Sequence, residues 1–310
     1  MDAVLTLPAP GAGRFAPSPS GDLHVGNLRT ALLAWLFARS TGRAFLLRVE
    51  DLDRVAAGAE ERQLSDLAAL GLDWDPPVVR QSARTDRYDA AVDALSADGF
   101  AYPCFCTRRE IREAASAPQV VGDAAPAADL AYPGTCRSLT PADIADRVAA
   151  GRRPAWRLRA ARETWTVADL LHGSFTGRVD DVVLRRNDGL AAYNLAVVVD
   201  DAAQGVDQVV RGDDLLTSAP RQAYLGHLLG LPPVTYAHVP LALNGDGRRL
   251  AKRDGAVTLA DLAARGRNAE QVLAVIAASV GLTGTPQDML DGFDPAALPA
   301  GPWIVDPALL

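Results

Sequence analysis

The chain has 310 residues, 49% of them apolar, enough for one large catalytic domain plus an insertion or small second lobe around a sizeable core. It has no uncharged apolar stretch of membrane-spanning length, no basic segment leading into an apolar one at the N-terminus, and an odd three cysteines, which argues against a membrane span, a secretory leader and a disulfide framework; a cytoplasmic location is expected. Thirty-one Lys and Arg against 38 Asp and Glu give a net charge of −7, which argues mildly against a nucleic-acid partner but leaves room for a local basic face.

Residues 13–16 (GRFA) read as a short buried strand, and 17–21 (PSPSG) as a turn. Apolar residues recur at helical spacing from Asn27 to Arg39, with Gly42 placed to stop the helix. FLLRVE (45–50) reads as a second strand. A strand–turn–helix–strand unit of about thirty residues has the length of a βαβ crossover, so an α/β fold with a doubly wound parallel sheet is expected. Further helices are expected over Glu60–Leu70 and Tyr88–Leu95, then an Ala/Pro/Gly-rich loop or partly mobile insertion over 114–131. AWRLRA (155–160) reads as a strand. NLAVVVDDA (194–202), an apolar run closed by two acids, reads as a buried parallel strand whose C-terminal end borders a site. A helix is expected from Pro220 to Leu229 with Ser218 as its cap, and one or two helices with a Pro-rich tail over 259–310.

Three motifs carry chemistry. Pro17-Ser18-Pro19-Ser20-Gly21-Asp22-Leu23-His24-Val25-Gly26-Asn27 lies between a strand and a helix. A helix N-terminus offers free N–H groups and a positive dipole end to a phosphate. His24 is a candidate donor to phosphate oxygens, and Gly26 would let a nucleotide ring lie against the backbone; the bland alternative is an ordinary capped turn. Arg249-Leu250-Ala251-Lys252-Arg253 contains the only lysine of the chain, a compact point charge suited to transferring phosphates, or else is a basic surface loop. Cys104-Phe105-Cys106 places two thiols close together and Cys136 follows, which suits zinc with a fourth ligand from elsewhere, or else three buried free cysteines. Arg152, Arg153, Arg157, Arg159 and Arg162 form a basic run that is either a phosphate contact or a solvated face.

Residues 13–54 resemble the opening of the glutamyl branch of class I aminoacyl-tRNA synthetases, with His24-Val25-Gly26-Asn27 on that class's "HIGH" signature and Asn27 in place of the second histidine. The loop at 249–253 resembles "KMSKS", departing at Arg249 and Ala251, with Lys252 on the second lysine. Tyr193–Asp201 and Val209–Thr217 resemble that branch's amino-acid pocket. The resemblance implies a Rossmann-like catalytic domain. It places Arg14 and Arg211 around the carboxylates of a bound glutamate, Glu50 at its ammonium, Tyr193 on the wall, and Ala16 and Ser18 beside it. It places ATP with its Mg2+ on His24, Gly26, Asn27 and Lys252, of which His24, Asn27 and Lys252 are catalytic. Taken singly, Arg211 is equally well a salt-bridged surface arginine and Glu50 a helix-capping acid.

The thiol motif narrows the resemblance to glutamyl-queuosine tRNA(Asp) synthetases, implying a structural Zn2+ held by Cys104, Cys106, Tyr132 and Cys136 in an inserted zinc-binding, acceptor-type subdomain. Fifty-eight residues follow Lys252, too few for stem-contact and anticodon-binding modules together, as the resemblance implies. The expected organisation is a first catalytic half over 1–100, the insertion over 101–190, a second catalytic half over 191–258 and a short helical segment over 259–310. The activity so implied is glutamate activation by ATP and transfer to the queuosine base in the anticodon loop of tRNA(Asp), by a monomer without membrane contact. The alternatives are a truncated synthetase charging a tRNA 3′ end, a small-molecule adenylyltransferase and a non-catalytic glutamate- or adenylate-binding regulator.

Overall fold

The computed structural model describes residues 11–107, 109–111, 132–250 and 257–306. The expected opening unit forms as β1 (Ala12–Phe15), α1 (Val25–Arg39) and β2 (Ala44–Val49). All of β1 is buried, as suits a parallel strand covered on both faces. Helix α1 is buried at Val25, at Leu28 and at each residue from Ala31 to Ala38, so it is a core helix rather than an amphipathic surface one. Gly13 permits its close approach, because a Cβ there would lie 2.8 Å from that of Ala38. Gly42 ends the turn after α1 at a φ of 69°, in the left-handed region that glycine adopts without strain.

The chain continues through α2 (Ala59–Ala69), β3 (Asp75–Arg80), α3 (Thr85–Ala97) and β4 (Ala101–Cys104). Then come α4 (Pro141–Ala149), β5 (Ala155–Leu158), β6 (Thr164–Asp169), β7 (Gly173–Arg178) and β8 (Val183–Arg185). The second half holds α5 (Tyr193–Ala203), β9 (Val206–Gly212), α6 (Ala219–Leu228), β10 (Thr235–Val239) and β11 (Ala242–Leu243). It closes with α7 (Leu259–Ala264), α8 (Ala269–Ala278), α9 (Pro286–Gly292) and β12 (Trp303–Ile304).

Among the described residues the large sheet has the order β3-β2-β1-β9-β10-β6-β7, parallel except for the terminal β6–β7 hairpin. The order runs outward from β1 to β3 and then restarts at β9 on its other side. This reversal is the switch point at which doubly wound sheets open a crevice beyond the carboxyl ends of their strands. Prolines 76 and 77 fall on β3, an edge strand, where a missing N–H is tolerated. β4, β5 and β8 form a separate antiparallel sheet, so the span 101–190 contributes strands to both sheets.

The structure corrects two expectations. Residues 194–202 are not a strand but most of α5. A short apolar run does not by period alone distinguish a buried strand from a buried helix, and three consecutive valines favoured the wrong one. In the helix, Ala196 and Asp200, and Val197 and Asp201, are pairs four apart that share the buried face, so the two acids point inward rather than closing a strand. Ser218 stands at the N-cap position of α6, yet its side chain makes no capping bond. A 3-10 turn (Asp213–Ser218) feeds the helix directly and leaves Ser218 helical, at φ −86° and ψ −21°, instead of extended as capping requires.

Residues 257–306 include three short helices, of which α8 packs on α1 through Val272, Leu273 and Ile276 and α9 through Met289, and Phe37 meets Phe293 edge-on at 5.2 Å. The expected Pro-rich tail also contains β12, which pairs in parallel with β11. The loop expected over 114–131 lies outside the described residues. Among the described residues no helix is long and apolar enough to cross a membrane.

Candidate functional site

A cavity of about 610 Å³ opens at the switch point, where the chain leaves β1 and β9. Ala16, Ser18, His24, Gly26, Asn27, Glu50, Tyr193 and Arg211 all line it, drawn from five segments of the sequence. Arg14 does not. It is 4% exposed and lies beneath, its Nε 3.3 Å from Asp201 and its Nη1 donating to the Val210 carbonyl at 3.0 Å. Lys252 lies outside the described residues, as do Ala251 and Arg253. Their described flanks converge on the same mouth: Leu250 lines the cavity, and the N–H of Val25 donates to the Val257 carbonyl at 3.1 Å.

His24 is the N-cap of α1, in extended conformation. Its Nδ1 accepts from the N–H groups of Gly26 at 3.1 Å and Asn27 at 3.2 Å, and Asn27 Oδ1 accepts from the His24 N–H at 3.2 Å. Two backbone donors on Nδ1 put the ring proton on Nε2, so Nε2 is the donor available to a phosphate. Burial holds the His24 pKa below the ordinary histidine value, keeping the ring neutral. With its oxygen engaged, Asn27 keeps both amide hydrogens free of that box, which gives the substituted position a donor. A Cβ on Gly26 would lie 3.0 Å from the His24 ring and 3.1 Å from Ala242 Cβ, so the residue is small because His24 folds over it.

The floor is a buried ionic network. Arg48 is fully buried, with Nη1 2.8 Å from Asp201, Nη2 3.5 Å from Glu50 and Nε 3.8 Å from Asp200. Asp200 also accepts from Arg84 Nε at 2.5 Å, Gln81 at 3.0 Å and the Tyr88 hydroxyl at 2.7 Å. Burial works against the Arg48 charge, but Asp201, Glu50 and Asp200 outweigh it and hold its pKa above the arginine norm. Burial raises the Glu50 pKa, and Arg48 and Arg14 oppose that rise.

Arg211 is 5% exposed and held from several sides. Its Nε donates to His238 Nε2 at 3.0 Å, Nη1 to Gln222 Oε1 at 2.7 Å and Nη2 to the Leu215 carbonyl at 3.3 Å. Its guanidinium lies 5.4 Å from the Tyr236 ring centroid. It is therefore not a surface arginine, and among the described residues no carboxylate engages it.

The sulfurs of Cys104, Cys106 and Cys136 lie within 4.8 Å of one another. The Tyr132 hydroxyl is 3.3 Å from Cys104 Sγ and 3.4 Å from Cys106 Sγ, and it accepts from the Cys136 N–H at 2.9 Å. Ligands about 2.3 Å from a tetrahedral zinc stand about 3.8 Å apart, close to the 3.5 Å between Cys106 and Cys136, so the donor set fits that ion. Burial pushes the Cys106 thiol up to about 11, whereas at Cys136 hydrogen bonds from Tyr132 and the Phe105 N–H outweigh burial and lower it. In the basic run, Arg157 is buried: its guanidinium lies 3.9 Å over the Tyr132 ring and donates to the Asp181 carbonyl at 2.7 Å. Arg159 lies 4.7 Å from the Tyr102 ring centroid. These two are supports of the thiol cluster, which neither earlier alternative anticipated.

A family model for tRNA synthetases class I (E and Q), catalytic domain, matches residues 12–289. A glutamyl-Q tRNA(Asp) synthetase of Nocardia farcinica (strain IFM 10152) is 66% identical over 297 residues, 95% of this chain and 93% of the relative. The chain belongs to the glutamyl-Q tRNA(Asp) synthetase family. A second family member, from Symbiobacterium thermophilum, is 45% identical and 94% covered on each side. Among solved structures, a glutamate tRNA ligase from Elizabethkingia meningosepticum CCUG26117 in complex with its amino acid superposes with a TM-score of 0.81 at 25% identity, over 96% of this chain and 68% of that one.

In this member of the glutamyl-Q tRNA(Asp) synthetase family, residue-by-residue reading missed Arg48, Asp169, Gln222 and His238; it set Asp200 beside the site, but at the end of a strand instead of on the buried face of a helix. Arg48 left one trace, an arginine inside the apolar run FLLRVE, where a charge requires a buried partner. The others left none, because their partners are far away in sequence.

Proposed function

We propose that the chain activates glutamate with ATP and transfers it to queuosine in the anticodon loop of tRNA(Asp). The observation that supports this most is the single cavity at the switch point that joins Glu50, Tyr193 and Arg211 to the capped N-terminus of α1. Two N–H donors of Arg211 remain for a carboxylate, the Glu50 carboxylate suits an ammonium, and Arg14 adds positive potential from beneath. In the first step a glutamate α-carboxylate oxygen attacks the α-phosphorus of Mg2+-bound ATP, and the bond to the bridging oxygen breaks, releasing pyrophosphate. His24 Nε2–H, the Asn27 amide, the positive end of the α1 dipole and Lys252 would stabilise the phosphate oxygens. In the second step a hydroxyl of the queuosine cyclopentene ring attacks the activated carbonyl, AMP departs and the hydroxyl proton passes to solvent or the leaving phosphate. Positioning of a reactive adenylate would supply most of the rate.

Cys104, Cys106, Tyr132 and Cys136 would hold Zn2+, which when bound cross-links β4 to the residues just before α4. The test supplies labelled glutamate and ATP with queuosine-containing or queuosine-free tRNA(Asp). Label retained on the anticodon fragment after nuclease mapping, and only with queuosine present, is the expected result. Label at the 3′ end, or binding without glutamate-dependent pyrophosphate exchange, defeats the proposal.

A further inference from the structure

Three strands of the sheet each contribute one side chain to a chain of hydrogen bonds ending at the pocket. Asp169 closes β6, His238 lies on β10, and Arg211 lies on β9 as the register partner of His238. All three are at most 5% exposed. Asp169 Oδ1 accepts from the N–H groups of Leu171 and His172, each at 2.9 Å, and Oδ2 accepts from the His238 N–H at 3.1 Å and its ring Nδ1 at 2.6 Å. A carboxylate that accepts four donors requires His238 Nδ1 to carry the proton. Nε2 is then left with a lone pair, and the Arg211 Nε–H donates to it at 3.0 Å.

We propose that His238 and Asp169 are positioning residues that set the plane of the Arg211 guanidinium for a carboxylate ligand; this rests on the pocket assignment above. An arginine has five N–H donors. His238, Gln222 and the Leu215 carbonyl take one each, from Nε, Nη1 and Nη2 respectively. One N–H is left on each terminal nitrogen, and together the two can hold a carboxylate. Rotation of the guanidinium about its Cδ–Nε bond would turn the Nε–H away from His238, and Nε has no second hydrogen to restore that bond. Asp169 thus fixes the tautomer, the tautomer fixes Nε, and Nε fixes the fork.

A purely structural role is the competing explanation, since β6 and β10 share the single register pair Tyr236–Asp169 and the Asp169–His238 bond ties them together. Two substitutions separate the roles. In His238→Asn the amide can still donate to Asp169 but is too short to reach Arg211, whereas in His238→Gln the side-chain oxygen can accept from Arg211 Nε–H and the tie to Asp169 is lost. Measured by glutamate-dependent pyrophosphate exchange, H238N is expected to raise the KM for glutamate about tenfold, the loss of one hydrogen bond to a charged group, with the KM for ATP and kcat at saturating glutamate unchanged. H238Q is expected to stay within about threefold of the parent, although its melting temperature falls further than that of H238N. Combining H238N with Arg211→Ala should add nothing to Arg211→Ala alone. Equal effects of H238N and H238Q, or a rise in the ATP and glutamate KM values together, overturn the proposal. A normal glutamate KM in Arg211→Ala would instead overturn the pocket assignment, and the positioning role with it.

Discussion

The floor of the cavity and the thiol cluster are both built from polar groups removed from water, and they solve that problem in opposite ways. On the floor, Arg14, Arg48 and Arg84 face Asp200, Asp201 and Glu50, so fixed charges compensate one another within the chain. At Cys104, Cys106, Cys136 and Tyr132, the groups are weak acids that hydrogen-bond among themselves. The floor is thus organised before any ligand arrives, whereas the cluster presents a donor set that a metal ion would complete. Pocket geometry should depend on covalent sequence alone, and anchoring of the thiol region on metal supply.

The sharpest way to break this contrast is Arg48→Met. Removing the central cation leaves Asp200 and Asp201 buried with fewer counter-charges, and unfolding free energy should fall by about 3–5 kcal/mol, read from the denaturant midpoint. A loss below about 1 kcal/mol would mean the floor charges are not mutually dependent. Next in size is zinc. Adding it to metal-free protein at a hundred times the dissociation constant should raise stability by about 2.7 kcal/mol, and Cys106→Ser should abolish the gain, whereas Arg48→Met should keep it. A gain of equal size in Cys106→Ser would remove the cluster as the zinc site.

Acid provides a third test. Burial lowers the pKa of both His24 and His238, so each folded ring resists a proton that the unfolded chain accepts. Their contribution is fully present above the unfolded value of about 6.5 and is lost as pH falls below it, with a slope of at most about 1.4 kcal/mol per pH unit for each ring. Asp169, whose pKa hydrogen bonds hold low despite burial, loses its contribution only at lower pH. H238Q should remove one histidine's share of the slope between pH 6.5 and 5, measured by urea unfolding; an unchanged slope would mean that ring is already charged. The smallest effect belongs to Thr140, which caps α4, a helix with no buried residue. Thr140→Ala should weaken that helix by about 1 kcal/mol, visible as faster amide exchange over 141–149, while zinc affinity stays constant.

The comparison also explains what was legible in the sequence. The β1–α1–β2 unit and the His24–Asn27 turn were readable because their determinants lie within a few residues: an apolar strand, a capping residue, a helical period and a stop at Gly42. The gathering of Cys104, Cys106 and Cys136 was readable because Cys-x-Cys already sets two thiols side by side and the chain has one further cysteine. The floor was not. Gln81 and Asp200 are 119 positions apart, and Arg14 and Asp201 are 187 apart, so only the folded sheet brings them together. The same blindness misassigned α5: Val197, Val198 and Val199 favoured a strand, and nothing local showed that Asp200 and Asp201 had arginines awaiting them. His238 gave no signal either, since a lone histidine in an apolar run says nothing about its neighbours on the next strands.

One carboxylate serves Arg48, Arg84, Gln81 and Tyr88 at once. Position 200 is therefore a junction where four independent lineages of substitution are held hostage to each other. An exchange of Asp200 strands Arg84, Gln81 and the Tyr88 hydroxyl together and leaves Arg48 with Asp201 and Glu50 alone, and an exchange of any single partner leaves the acid still required by the rest. Drift there has to pass through several simultaneous changes, so this junction will outlast looser parts of the molecule as the sequence diverges.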